Sequence, residues 1–479
     1  METKNAWESY SAKQLKELET VSGEYIDFIS RCKTERECVD RIVEEAEAAG
    51  FKELSALIAG NEVIKKGDKV YSVWMNKSVA LFNIGSRPLS EGMNILGAHI
   101  DSPRLDVKQN PLYEDSGFAY LDTHYYGGVK KYQWVTLPLA LHGVIVRKDG
   151  TTVIVNIGEN EDDPVFFVSD LLIHLAQEQM EKKANKVIEG EALDILIGNK
   201  PLIVKGRGGK KDSGKEGEEE KSGVKDKVKN NLLEILKSTY GVEEEDFLSA
   251  EIEVVPAGKA RETGLDRSMI LGYGHDDRVC AYPSLRAILN AGEVERTACC
   301  ILVDKEEIGS VGATGMKSHF FENMVAEILN LSGDYSEILL KRTLANSCML
   351  SSDVSAGYDP LYASVFDKKN VCYLGHGVVF NKFTGSRGKS GSNDANAEYI
   401  AYLRDLLDKD KVFYQTAELG KVDIGGGGTI AYILALYGMN VIDAGVAVLN
   451  MHAPWECISK ADLYEAYRCY MAFLKGQGL

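Results

Sequence analysis

Apolar residues recur at helical spacing through the first fifty positions, with Tyr25, Ile26, Phe28 and Ile29 followed by Val39, Ile42, Val43 and Ala46. The spacing breaks near Lys33-Thr34-Glu35. Extended patterns follow over residues 69–74, 78–83 and 94–101, where apolar and polar positions no longer keep a period near 3.6. Residues 141–146 and 152–155 flank Lys148-Asp149-Gly150, and Asp-Gly supplies the positive backbone angles of a tight hairpin turn. Short helices are predicted over residues 169–182 and 232–240, and residues 250–255 alternate like a half-buried strand. From about Gly272 onward strand and helix patterns alternate, including a helix over 279–289, a helix starting at Thr429 and a last helix opening at Ser459 with a capping-box-like start. That alternation predicts an α/β fold with a mixed, mostly parallel sheet flanked by helices.

Apolar runs end in metal-ligand residue types at five places. Ala298–Val303 leads into Asp304-Lys305-Glu306-Glu307-Ile308-Gly309-Ser310, so two adjacent carboxylates stand where a buried strand meets a loop. Burying two neighbouring acids costs several kcal/mol, on the order of 2–5 each, unless a cation faces them. The pair taken alone reads more readily as an exposed loop with two solvated acids. His99 and Asp101, two apart on an extended chain, point to the same side, so Asp101 is placed either as a ligand or to orient the His99 ring. Asp276 and Asp277 precede the 279–289 helix, Asp353 follows Cys348-Met349-Leu350, and His452 follows Val446-Ala447-Val448-Leu449 in a segment that runs on to Glu456. One histidine or aspartate at a strand end is usually a cap or a turn residue. Five such segments matter because strand ends at the carboxyl edge of an open α/β sheet converge on one crevice.

The order His, Asp, Glu-Glu, Asp, His resembles that of the cocatalytic dizinc exopeptidases, and specifically the aspartyl aminopeptidase family that includes the yeast vacuolar aminopeptidase. Its carriers span nearly the whole chain: Gly97-Ala98-His99-Ile100-Asp101-Ser102-Pro103-Arg104-Leu105, Tyr126-Gly127-Gly128, residues 139–143, Ile173-His174-Leu175, residues 304–310, Ser352-Asp353 and Met451-His452-Ala453-Pro454. The resemblance implies a phosphorylase/hydrolase-like zinc exopeptidase fold and a metallo-aminopeptidase acting on peptides. It implies two Zn²⁺ bridged by Asp276, one completed by His99 and Asp353, the other by Glu307 and His452. Glu306 would be the general base, and Asp101 would accept the imidazole N–H of His99. Co²⁺ or Mn²⁺ would also suit such mixed nitrogen and oxygen donors. A carboxypeptidase or N-deacylase of the same broad clan, or a non-catalytic relative of the fold, are the competing readings.

With His99 on one side and the other ligands on the far side, residues 106–257 read as a β-rich domain inserted into a catalytic domain of residues 1–105 and 258–479. Family members assemble as tetrahedral dodecamers through such an insert, and by that resemblance His174 reaches a neighbouring subunit's substrate; a buried helix histidine is the alternative. Within the insert, residues 205–229 are low-complexity Gly, Ser, Lys, Asp and Glu without an aromatic, which predicts a mobile surface loop. Members favouring acidic first residues carry a lysine where a gapless match places Asn381, after Gly377-Val378-Val379-Phe380. Lys382, Arg387 or Lys389 would have to supply the charge, or are solvated loop cations. Gly425 to Gly428 precede a helix without the Lys-Ser/Thr of a phosphate loop, so close packing or a substrate turn are the two readings.

Composition narrows the class. In 479 residues, 55 Lys and Arg face 72 Asp and Glu for a net charge of −17, which argues against nucleic acid or anionic membrane as partner. Nine cysteines sit in apolar runs without a Cys-x-x-Cys pair and read as reduced core residues. The start lacks the apolar core of a signal peptide and no stretch reaches membrane-span length, so a cytoplasmic enzyme is expected.

Overall fold

The computed structural model describes residues 4–203, 225–385 and 388–478. By internal contacts the chain divides into two compact units, Met1–Pro103 with Gly258–Leu479, and Arg104–Ala257.

The first unit holds a nine-stranded sheet in the order Lys52–Glu53, Lys69–Trp74, Ser78–Asn83, Thr297–Val303, Met93–His99, Cys348–Ser351, Asn440–Gly445, Val378–Asn381, Tyr414–Thr416. Its four middle strands, from Thr297–Val303 to Asn440–Gly445, run parallel. Antiparallel pairings join Ser78–Asn83 and Val378–Asn381 to that centre, so the sheet is mixed. Buried parallel strands read as continuous apolar runs because both faces are covered. Alternate side chains confirm this: Leu96, Ala98, Cys300, Leu302 and Leu350 join one core with the helices Ala12–Arg31, Glu35–Ala48, His275–Asn290 and Lys460–Lys475. Ile95, Cys299, Ile301, Val303 and Met349 face the opposite core with the helices Phe320–Leu331 and Glu337–Ala345. The break near Lys33 is the junction between two capped helices: Ser11 and Gln14 form a capping box on the first, Thr34 and Glu37 on the second. A smaller sheet, Arg261–Thr263, Met269–Gly272, Glu456–Ser459, Ala447–Leu449 and Ser355–Ala356, stands beside the large one. All nine cysteines are buried free thiols.

The Arg104–Ala257 unit is built on a seven-stranded antiparallel sheet in the order Thr152–Ile157, Leu139–Val146, Ala250–Pro256, Arg104–Asp115, Phe118–Tyr126, Ile195–Gly198, Phe167–Val168. The hairpin turns at Gly150 with φ +85°. The helix expected over 169–182 does not form. Only a 3₁₀ turn at Ile173–Leu175 and one α turn at Gln177–Met180 are present, and Leu171, Leu172, Ile173, Leu175 and Met180 are exposed. Helical spacing stabilises a helix only where its apolar stripe is buried, and here nothing among the described residues of the unit covers it. The helix expected at 232–240 starts earlier, at Lys227–Ile235, and continues as a wider turn over Leu236–Tyr240. Of the low-complexity run, Lys227, Val228 and Lys229 open that helix, while 204–224 lie outside the described residues. Among the described residues no helix is long and apolar enough to cross a membrane.

Candidate metal centre

Three middle strands deliver acids and a histidine to one edge of the large sheet. His99 is the last residue of Met93–His99; its parallel neighbour Thr297–Val303 runs on to Glu306 and Glu307, and Cys348–Ser351 runs on to Asp353. The small sheet supplies the rest: Asp276 lies just beyond Met269–Gly272, and His452 lies between Ala447–Leu449 and Glu456–Ser459. Lys305 at φ +69° and Gly309 at φ +94° bracket a 3₁₀ turn over Glu306–Ile308, reversing the chain so that two successive acids stay at the strand end. Gly445 lets Asp353 approach, because a Cβ there would overlap the Asp353 carbonyl oxygen.

Asp276 is the hub. Its Oδ1 lies 3.2 Å from His99 Nε2 and its Oδ2 lies 3.2 Å from His452 Nε2. His452 Nε2 is also 3.6 Å from Glu307 Oε2. Two sets of donor atoms result, each mutually within 4.8 Å: His99, Asp276 and Asp353, and Asp276, Glu307 and His452. Asp101 lies behind them. Its Oδ1 and Oδ2 accept the backbone N–H groups of Glu306 and Glu307, both at 3.2 Å. His99 Nδ1 is 3.0 Å from the Asp101 carbonyl oxygen and 3.3 Å from its carboxylate, so its ring is held from behind while Nε2 faces Asp276.

The electrostatics call for cations. Among the described residues no lysine or arginine forms an ion pair with Asp276, Glu306, Glu307 or Asp353. Burial, with Asp101 and Asp276 adding repulsion, pushes Glu306 up to about 7. Burial and then Asp276 raise Glu307 well above the carboxylate range; burial, Glu306 and Asp277 do the same to Asp353. Burial would raise Asp276 too, but His452 and His99 outweigh it and hold its carboxyl low. Glu307 Oε1 is buried without a hydrogen-bond partner, as expected of an atom reserved for an ion. A donor set of imidazole nitrogen and carboxylate oxygen without thiolate fits Zn²⁺, and it also accepts Co²⁺ and Mn²⁺.

His99, Asp101, Asp276, Glu306, Glu307, Asp353 and His452 thus converge. Two buried acids join them that the sequence reading left without a role, Asp277, whose cis peptide follows Asp276, and Glu456. Asp277 Oδ2 accepts the His99 N–H at 3.4 Å. A second acid directly beside Asp276 was the available signal. Lys382 is half exposed, 3.9 Å from Asp394, which Lys389 also pairs at 2.8 Å. Asn381 is buried against Ser355, and Arg387 lies outside the described residues. His174 sits on the exposed 3₁₀ turn of the other unit rather than buried in a helix. The Gly425–Gly428 stretch lies beside a cavity of about 270 Å³ that Gly425 and Gly426 line with Phe383, Lys389 and Lys421.

Residues 28–474 match the family described as Aminopeptidase I zinc metalloprotease (M18). A probable M18 family aminopeptidase 1 of Clostridium acetobutylicum is 61% identical over 473 residues, 99% of this chain and 98% of that protein. One from Thermotoga maritima is 45% identical over 476 residues, 99% of each. Among solved structures, the M18 aminopeptidase of Thermotoga maritima superposes with a TM-score of 0.90 at 44% identity, covering 99% of both chains. The mApe1 dodecamer of S. cerevisiae shares the fold at 19% identity, with a TM-score of 0.74 over 96% of this chain and 97% of that one.

Proposed function

Because this chain belongs to the M18 family of aminopeptidase I zinc metalloproteases, and is therefore a metallo-aminopeptidase, we propose that it removes single N-terminal residues from peptides at a two-metal centre bridged by Asp276. The observation that carries this reading is the Asp276 carboxylate, each of whose oxygens faces one imidazole at 3.2 Å. His99 and Asp353 complete one site, and Glu307 and His452 the other. When bound, two zinc ions acidify water and polarise the scissile carbonyl. Glu306, half-buried and pushed up to about 7, takes the proton of the attacking water and returns it to the departing amine. Asp101 holds the backbone of both glutamates, which keeps the base and the ligand from exchanging places.

The finer reading, that acidic first residues are preferred, draws on the family resemblance and on Lys382 and Lys389. Both of these cations face Asp394, Lys382 at 3.9 Å and Lys389 at 2.8 Å, which leaves less of their charge to select an acid. A panel of aminoacyl amides, with N-acetylated and C-terminal substrates beside it, tests both levels. Release of the free N-terminal residue alone supports the aminopeptidase, whereas equal cleavage of blocked substrates or of C-terminal residues supports the deacylase or carboxypeptidase. Leucine favoured about tenfold or more over Asp and Glu discards the acidic preference.

Self-association is assigned to the Arg104–Ala257 unit, twelve chains by the resemblance, because its exposed Leu171, Leu172, Ile173 and Leu175 flank His174. A monomeric mass in light scattering of active protein would end that assignment. A cytoplasmic setting is consistent with the nine reduced thiols.

A further inference from the structure

We propose that Glu456 is a positioning residue whose carboxylate sets the spacing between Asp276 and His452, and so the affinity and geometry of the metal they share; the inference rests on the two-metal reading above. Glu456 is 1% exposed. Its Oε2 accepts the backbone N–H of Asp276 at 3.0 Å and its Oε1 accepts the backbone N–H of His452 at 2.7 Å. One side chain thus holds two loops that arrive from different strands.

Strand register explains why this residue can do so. Glu456 opens the strand Glu456–Ser459 directly opposite Gly272, the last residue of Met269–Gly272. Asp276 follows Gly272 by four residues and His452 precedes Glu456 by four, so both ligands leave the small sheet from one paired position. Neither loop is regular: Gly274 has φ +74°, Asn450 φ +62° and His452 φ +65°. Loops of this kind leave backbone N–H groups without sheet or helix partners, and a buried N–H must find an acceptor. Glu456 provides both acceptors.

The chemistry requires a carboxylate. Two N–H donors point at one side-chain terminus, and only a group with two accepting oxygens satisfies both. Glutamine has the same shape but one accepting oxygen; its NH₂ would face an N–H, and one loop would be released. Among the described residues no lysine or arginine pairs with Glu456, so the two backbone N–H groups of Asp276 and His452 are what its oxygens hold. Asp101 acts alike on the opposite wall, where its two oxygens take the N–H groups of Glu306 and Glu307.

The test titrates metal-free wild type, Glu456→Gln and Glu456→Asp with Co²⁺, following the visible spectrum, and records thermal unfolding with and without the metal. Wild type is expected to take up two ions. Glu456→Gln should bind one of them about 10- to 100-fold more weakly, with an altered spectrum for that ion, and should show a smaller metal-induced rise in Tm. Glu456→Asp, which keeps both acceptors on a shorter stem, should fall between the two, and it decides the matter by the same readouts if Glu456→Gln does not fold. Wild-type affinity and spectrum in the variants, or an equal loss of Tm with and without metal, would overturn the inference while leaving the two-metal reading intact. Wild type binding fewer than two ions would overturn the two-metal reading itself, and this inference with it.

Discussion

Asp276→Asn is expected to leave a folded protein that holds neither metal and has lost at least about 10⁴ in kcat. The size of the effect follows from geometry. Asp276 belongs to both donor sets, and its two oxygens face His99 and His452 at 3.2 Å each. An asparagine presents one oxygen and one NH₂, so it cannot accept on both sides, and it removes the negative charge that the centre places between two imidazoles. Variants at His99 or His452 touch one donor set each and should retain one ion. Metal analysis beside kinetics checks the ordering: an Asp276→Asn protein that keeps one ion firmly would mean that the carboxylate does not bridge.

The second large effect separates neighbours. Glu306→Gln keeps shape but cannot take a proton, so both metals should remain while kcat falls by about 10² to 10⁴. Glu307→Gln removes an anionic donor 3.6 Å from His452 Nε2, so metal content should fall, chiefly at the ion shared with His452, and activity should partly return with excess metal. Each variant is the other's control, since both backbones hang on Asp101 and a general loosening of the turn would affect them alike. Loss of a metal in Glu306→Gln with both retained in Glu307→Gln would exchange the two roles.

What the sequence discloses of this centre depends on range. Strand ends are legible because an apolar run and the polar residues that terminate it are contiguous, and parallel strands then bring His99, Glu306, Glu307 and Asp353 to one edge. Side chains that act on distant backbone are not legible. Asp101 reads as a partner for His99 two residues away, and its carboxylate is 3.3 Å from His99 Nδ1. That the same carboxylate also takes the N–H groups of Glu306 and Glu307 does not show in the sequence, and Glu456 looks like the tail of a motif until register sets it opposite Gly272. Local charge misleads in the same way. Lys382 and Lys389 read as a basic cluster, but Asp394, farther along the chain, lies 3.9 Å from the first and 2.8 Å from the second. The failed helix near His174 has a different cause: its apolar spacing is real, but among the described residues of the unit no surface buries it, and propensity alone does not hold a short helix.

The central claim is a pair of metals on either side of one aspartate, and anomalous scattering at the zinc edge from crystals of the zinc-loaded protein tests it most directly. Two peaks roughly 3.5 to 4 Å apart are expected, one among His99, Asp276 and Asp353 and the other among Asp276, Glu307 and His452. A single peak, or peaks that leave Asp276 outside the coordination of either ion, would contradict it.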